Sequence, residues 1–260
     1  MTTNIAQRLG YGGSGSINGT QVLITSGSYL SSTAPGFLQM VQTLPSAADA
    51  NRVTHSDGVN SYSGSLSFDV TSQAMGLFTM STLFKRWYSF SVGINDGNLG
   101  YTMTGCKLTS LSLQGAAGGL VSASLSFVGT VGFGSGVVPN NFVREDTVVG
   151  YWWSGAGSMK VKSWTLSMNQ EVVPVYGNGS GMEPLYLRVG LVDYSLDVES
   201  YDAIGSGDSD EVTIESDTFT LTGKTSEKGY QFNGITDLGT YRYTFVTGTN
   251  TGASDGVVIS

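Results

Sequence analysis

Between Tyr101 and Thr130 the chain alternates aliphatic residues with serine and threonine. Val121, Ala123, Leu125 and Phe127 fall on one side, Ser122, Ser124 and Ser126 on the other. The preceding arm sets Leu111 and Leu113 against Ser110 and Ser112. A period of two is what a β-strand with one dry and one wet face requires, because successive side chains point to opposite faces. Gly115-Ala-Ala-Gly-Gly119 lies between the arms and supplies the backbone freedom of a short connection, so the stretch is expected to fold as a hairpin. Its wet face carries hydroxyls and no row of charges. Such a face tolerates water and can equally lie against a neighbouring subunit.

The same pattern recurs along the chain. Residues 62–70 place Tyr62, Leu66, Phe68 and Val70 opposite Ser63, Ser65, Ser67 and Asp69. In 160–173, Trp164, Leu166 and Met168 share a side. In 185–199 the apolar parity switches from Leu185, Leu187, Val189 and Leu191 to Val192, Tyr194, Leu196 and Val198, which predicts a bulge or twist near Gly190. Adding 20–25, 212–221 and 241–247 gives eight principal strands. The period changes in 72–87, where Met75, Phe78, Met80, Leu83, Phe84 and Trp87 recur at helical spacing. Ser72 there suits an N-cap, and Lys85-Arg86 complements the C-terminal dipole, so a helix is expected. Residues 1–15 read as a mobile glycine-rich segment and 131–158 as irregular. The tail after Gly248 has little to bury and reads as a flexible arm or disordered. Residues 28–61, with Pro35, Pro45 and the only histidine, His55, form a long excursion that is either functional or a flap over its own core.

Composition removes several classes of function. One histidine and one cysteine exclude a His/Cys metal cluster within the chain and an internal disulfide. No G-x-S-x-G motif occurs and no nucleophile is evident near His55, so a hydrolase triad is unsupported. The glycines of 10–15 lack the setting of a phosphate-binding loop, and Asp202, Asp208, Asp210 and Glu211 lack the register of a calcium loop. No cofactor and no metal are expected, and no enzyme activity. The N-terminal MTTNIAQRLG has no signal-peptide core, and no apolar window approaches the roughly 18 residues of a membrane span. Charged residues make up only 12% of the chain, low enough to suggest a surface that faces other protein. The net charge of −8 is uneven: residues 1–130 carry five bases against four acids, and residues 131–260 seven against sixteen. An acidic chain is a poor candidate for tight DNA binding, because phosphate contacts supply most of that affinity.

Two stretches resemble bacteriophage tail tube proteins. The first is the hairpin, with its Y-x-x-x-G-C start at Tyr101, LTSLSLQ, the AAGG turn and SASLSFVGT. The second is Met159–Tyr201, where VKSWTLSMNQEVVPV and LYLRVGLVDYSLDVES flank a glycine-bearing loop. The resemblance implies a mainly β fold of two packed antiparallel sheets, sandwich- or barrel-like, with one flanking α-helix around 72–87 and the long loop around 28–61. It implies a single tail-tube domain over 1–260, with an N-terminal half 1–130, a C-terminal half 159–248 and a flexible arm 249–260.

The implied role is a structural virion protein of the tail, made in the host bacterial cytoplasm. It would self-assemble into stacked rings of six copies, or three of a duplicated fold, whose lumen conducts DNA. The implied partners are other copies, other tail proteins at the tube ends and passing double-stranded DNA held without specific binding; no membrane is involved. Asp193, Asp197 and Glu199 are the expected lumen-facing residues, and Ser122, Ser124 and Ser126 the inter-subunit hairpin face. Pro35, Phe37, Leu44, Arg52 and His55 mark the expected inter-ring loop. The alternative is a carbohydrate- or receptor-binding β-sandwich of a virion, using Trp152 and Trp153.

Overall fold

The structure is a computed structural model. It describes residues 13–33, 38–40, 53–55, 59–71, 73–78, 82–95, 100–117, 119–135, 151–152, 161–177, 183–201, 209–214, 217–222, 224–231, 239–247 and 257–259. Strands dominate: β1 (Gly13–Ile17), β2 (Thr20–Thr33), β3 (Leu38–Met40), β4 (Val53–His55), β5 (Asn60–Asp69), β6 (Phe90–Asn95), β7 (Gly100–Ala116), β8 (Ser122–Gly129) and β9 (Val131–Ser135). They continue with β10 (Tyr151–Trp152), β11 (Val161–Val175), β12 (Tyr186–Ser200), β13 (Ser209–Ile214), β14 (Asp217–Thr222), β15 (Lys224–Gln231), β16 (Thr240–Thr247) and β17 (Val257–Ile259).

Eleven of these form one antiparallel sheet in the order β15-β16-β12-β11-β7-β6-β1-β2-β5-β8, with β9 also on β7. Because β8 returns to pair with β7, the run β7-β6-β1-β2-β5-β8 closes on itself. The length of β7 makes this possible. Its first part pairs with β6 and β9, and its last part with β8 and β11. From there β11, β12, β16 and β15 extend the sheet beyond the closed part. Among the described residues, β10-β13-β14-β17 make a second sheet and β3-β4 a third.

The alternation in the sequence becomes the core. Leu66 and Phe68 of β5, Leu111 and Leu113 of β7, and Leu125 and Phe127 of β8 are buried in one cluster with Ile17, Ile24 and Val92. Trp164, Leu166 and Met168 of β11 join it, as do Val192, Tyr194, Leu196 and Val198 of β12. Fully burying a side chain of this size contributes about 1.5–3 kcal/mol. The parity switch in β12 is a bulge: Gln170 pairs with Val192 and Val172 with Val189, which leaves one extra residue beside Gly190. The hairpin over Tyr101–Thr130 forms as expected. Gly115 is required for a different reason than the turn: a Cβ there would lie 2.7 Å from the Trp164 indole nitrogen.

The helix expected over 72–87 does not form. Among its described residues only Ala74–Leu77 is helical, a short 3₁₀ turn, and residues 82–84 and 86–87 are turns. A continuous helix would gather its apolar residues on one stripe. Here Ala74, Met75, Leu77, Phe78, Leu83 and Phe84 are all buried, with Phe78 packed between Phe68 (6.1 Å) and Phe84 (6.4 Å). Thr82 competes with the helix by donating its hydroxyl to the Leu77 carbonyl (2.6 Å). The Thr71 hydroxyl accepts from the Ala74 N–H at 3.3 Å; the expected N-cap, Ser72, lies outside the described residues. Tyr194 ties the segment down by donating to the Phe84 carbonyl at 2.8 Å.

Other boundaries also move. β2 and β5 stay paired as far as Thr33 and Asn60, so the excursion is 34–59 rather than 28–61, with β3 and β4 paired inside it. The glycine-rich start contains a strand, because Asn18-Gly19 (φ +50° and +83°) turns β1 back onto β2. Those angles are the paired left-handed values of a type I′ hairpin. Residues 212–221 are a hairpin and not one strand, with Val212 opposite Phe219. β9 and β15 are strands that the alternation did not announce. Of the tail 249–260, Val257–Ile259 pair with β14 and the rest lies outside the described residues.

Candidate functional site

The dry side of the main sheet is the core; its wet side is one continuous polar face. Cross-strand partners place Ser26, Ser67, Ser124, Ser112, Ser167 and Ser195 in a single row running over β2, β5, β8, β7, β11 and β12. The neighbouring row is Ser28, Ser65, Ser126, Ser110, Asn169 and Asp193. On the other side lie Asp69, Ser122, Gln114, Thr165, Asp197 and Thr244. Residues directly opposite each other on a sheet are near enough to bond. Ser28 and Ser65 do so at 2.7 Å and Ser67 and Ser124 at 2.9 Å, while Gln114 donates to Ser122 at 3.0 Å.

Charge in these three rows is confined to Asp69, Asp193 and Asp197, and no base occurs in them. Asp193 and Asp197 are exposed, and Thr244 donates to Asp197 at 2.5 Å. One step along, Glu199 accepts from Lys162 (3.0 Å), Thr240 (2.8 Å) and Ser163 (3.4 Å). Burial opposes the Glu199 charge, but the Thr240 hydroxyl and the Lys162 ammonium, aided by Arg242, outweigh it and hold the carboxyl below its ordinary value. Here the face dips into a groove of about 440 Å³ bordered by Ser163, Thr165, Asp197, Glu199, Arg242 and Thr244. The acids and the hairpin serines expected separately are therefore brought together on one surface.

Pro35, Phe37, Leu44 and Arg52 lie outside the described residues; His55 ends β4 opposite Leu38. Trp153 is likewise outside them, and Tyr151–Trp152 pair with β13.

Two features were not anticipated. Tyr62 and Asn60, at the start of β5, both donate to Glu183 Oε1, at 2.7 and 3.0 Å, and Tyr176 donates to the Asn60 carbonyl at 2.7 Å. This ties the foot of the 34–59 excursion to the tip of the β11–β12 hairpin. Burial, and then the Glu183 carboxylate, push the Tyr62 hydroxyl up to about 12. No spacing in the sequence links residues that far apart. The second is Trp87, an exposed indole on a left-handed backbone (φ +68°), which a helical reading had placed on an apolar stripe.

Among the described residues no group of three acidic, histidine or cysteine side chains is placed to hold a metal. Burial pushes the Cys106 thiol up to about 12, which leaves it a buried apolar group and not a nucleophile. No helix of the described residues is long and apolar enough to cross a membrane. A family model described as phage tail tube protein matches residues 46–259, most of the chain; no curated protein matches it. The polar-faced antiparallel sheet and this match agree: the chain belongs to the phage tail tube protein family, a structural, non-enzymatic part of the virion tail that associates with itself and with other tail proteins.

Proposed function

We propose that this chain acts as one tail-tube unit, closes rings of six copies, and stacks those rings into a tube that conducts DNA. The single observation that carries the reading is the polar face. It runs over seven strands and is rich in hydroxyls; the three rows from Ser28 to Thr244 hold no base, Lys162 and Arg242 stand beside Glu199 one row further on, and the acids are concentrated at the β12 end. Burying a hydroxyl costs far less than burying a carboxylate. The serine end, including Ser122, Ser124 and Ser126, is thus suited to lie against the neighbouring copy, while Asp193, Asp197 and Glu199 stay wet and face the channel.

Four strands from each of six copies would make a wall of about 24, above the 16–18 that already leave an aqueous channel. DNA affinity comes chiefly from cations meeting phosphates, so an acidic wall lets the duplex slide. The edge of β15 is unpaired within the described sheet and is open to continuation by another copy. The 34–59 excursion, which includes Pro35, Phe37, Leu44, Arg52 and His55, reaches the adjacent ring, a head-to-tail contact that propagates a filament. Electron microscopy of the purified protein tests the reading. Stacked rings with an open axis are expected; a particle that stays single at high concentration would overturn it.

A further inference from the structure

We propose that Trp87, backed by Arg86 and Lys107, is an anchor that docks on the outer part of the β11–β12 hairpin of a second copy of this chain. The inference rests on the self-assembly reading above and assigns it a contact.

Trp87 is 60% exposed and is one of two described non-glycine residues at positive φ. A bulky aromatic in that region is strained, and such strain persists only where the surroundings impose it. The surroundings here do so. Lys107 donates to the Trp87 carbonyl, and the Arg86 guanidinium lies over the indole, 4.7 Å from its centroid. The Tyr88 N–H closes the turn on the Lys85 carbonyl at 3.1 Å, and the Tyr88 ring stacks on Phe90. The fold thus holds a large apolar group out in water when relaxing the backbone would remove the strain. Tryptophan and arginine are the side chains most often found at the energetic centre of protein interfaces.

Charge and exposure select the occupant. Lys85, Arg86 and Lys107 are three of the five bases in residues 1–130, whereas residues 171–191 of the outer β11–β12 hairpin hold two acids, Glu171 and Glu183, against one base. Beyond its bulge the β11–β12 hairpin pairs with neither β7 nor β16. Val173, Leu185, Tyr186 and Leu191 are exposed there, Leu191 by 67%, with Glu171 beside them and Arg188 as the one base of that arm. Exposed apolar residues gathered on one projecting element mark an interaction site. Lys107 is held below its ordinary value by burial, a penalty that an opposing Glu171 carboxylate would offset. Two different patches on one chain give a heterologous contact, the kind that closes rings or grows filaments.

Three variants of the full chain test this by sedimentation, microscopy and melting. Wild type should assemble. Trp87→Ala should stay folded yet lose assembly by about tenfold or more, the effect of removing an interface anchor. Trp87→Gly, which relieves the positive φ, should melt higher than wild type while assembling as poorly. Mixed Trp87→Cys and Leu191→Cys chains should cross-link to each other through a short bismaleimide; Cys106, fully buried, does not compete. If wild type assembles and Trp87→Ala matches it, the anchor is wrong and the tube reading survives. A defect without the 87–191 cross-link overturns the assigned partner patch. If wild type itself never assembles, the tube reading falls first.

Discussion

The Tyr62 hydroxyl donates to Glu183 Oε1 across 2.7 Å, joining two residues separated by 121 positions in the chain. The bond fixes where the 34–59 excursion leaves the sheet, because Asn60 meets the same carboxylate oxygen. A hydrogen bond to a charged partner contributes about 1.5–3 kcal/mol. Tyr62→Phe should lower unfolding stability by about that much in urea titrations at neutral pH. Because the folded hydroxyl is raised to about 12, its contribution is complete below its ordinary value of 10.0 and is lost as pH climbs from there through about 12. Wild type and Tyr62→Phe should therefore converge over that alkaline window. Parallel pH curves would show that the hydroxyl is not the group concerned.

Glu199 behaves with the opposite sign. Its folded value lies below the ordinary 4.5, so its contribution is present above that pH and fades as the solution is acidified through the folded value. The Lys162 partner is 46% exposed, and exposed pairs contribute no more than about 1 kcal/mol. Glu199→Gln is expected to destabilise by at most that amount at pH 7, and the gap to wild type should narrow as the pH falls through the folded value. Thermal melts at pH 7 and pH 3 decide it; a gap that widens in acid would contradict the assignment.

Gly115 owes its place to Trp164. A methyl group there would sit 2.7 Å from the indole nitrogen and 2.9 Å from Cε2, so ring or strand must shift. Forcing atoms into a filled core costs about 1–3 kcal/mol. Gly115→Ala should lower the melting temperature by a corresponding amount. Gly76→Ala, with open space around its Cβ, is the control.

The channel assignment predicts a separation of assembly from delivery. Asp193→Lys with Asp197→Lys should leave tubes intact in micrographs but slow or block DNA ejection, since cations on the wall would bind phosphate. Unchanged ejection and infectivity would place these acids elsewhere.

Deleting residues 40–56 should spare the main sheet, which pairs without them. Isolated rings or short stacks are expected in place of long tubes. Normal tube growth from the deleted chain would remove the excursion from the ring-to-ring contact.

Local pattern determined the central strands of the main sheet but not β1, β9 or β15. A strand needs only that its own residues alternate, and Leu111 to Phe127, Trp164 to Met168 and Val192 to Val198 do so without reference to anything distant. The Gly190 bulge was legible for the same reason, as a change of parity inside one segment. Asn18-Gly19 is the kind of dipeptide that makes a two-residue hairpin turn, yet the glycine-rich start reads as mobile, and the strand β1 before the turn emerges only from its pairing with β2 and β6.

Tertiary structure decided the rest. The spacing of 72–87 favours a helix, but a helix buries one stripe and the core beside Phe68 and Tyr194 needed more than one face, so the segment was folded into turns. The return of β8 to β7, the meeting of Tyr62 with Glu183, and the union of the acids with the serine rows depend on register between distant strands. A one-residue slip in any of those pairings would turn the hydroxyls inward and the aliphatics outward. Alternation says which residues share a face; only the pairing of strands says which faces become one surface.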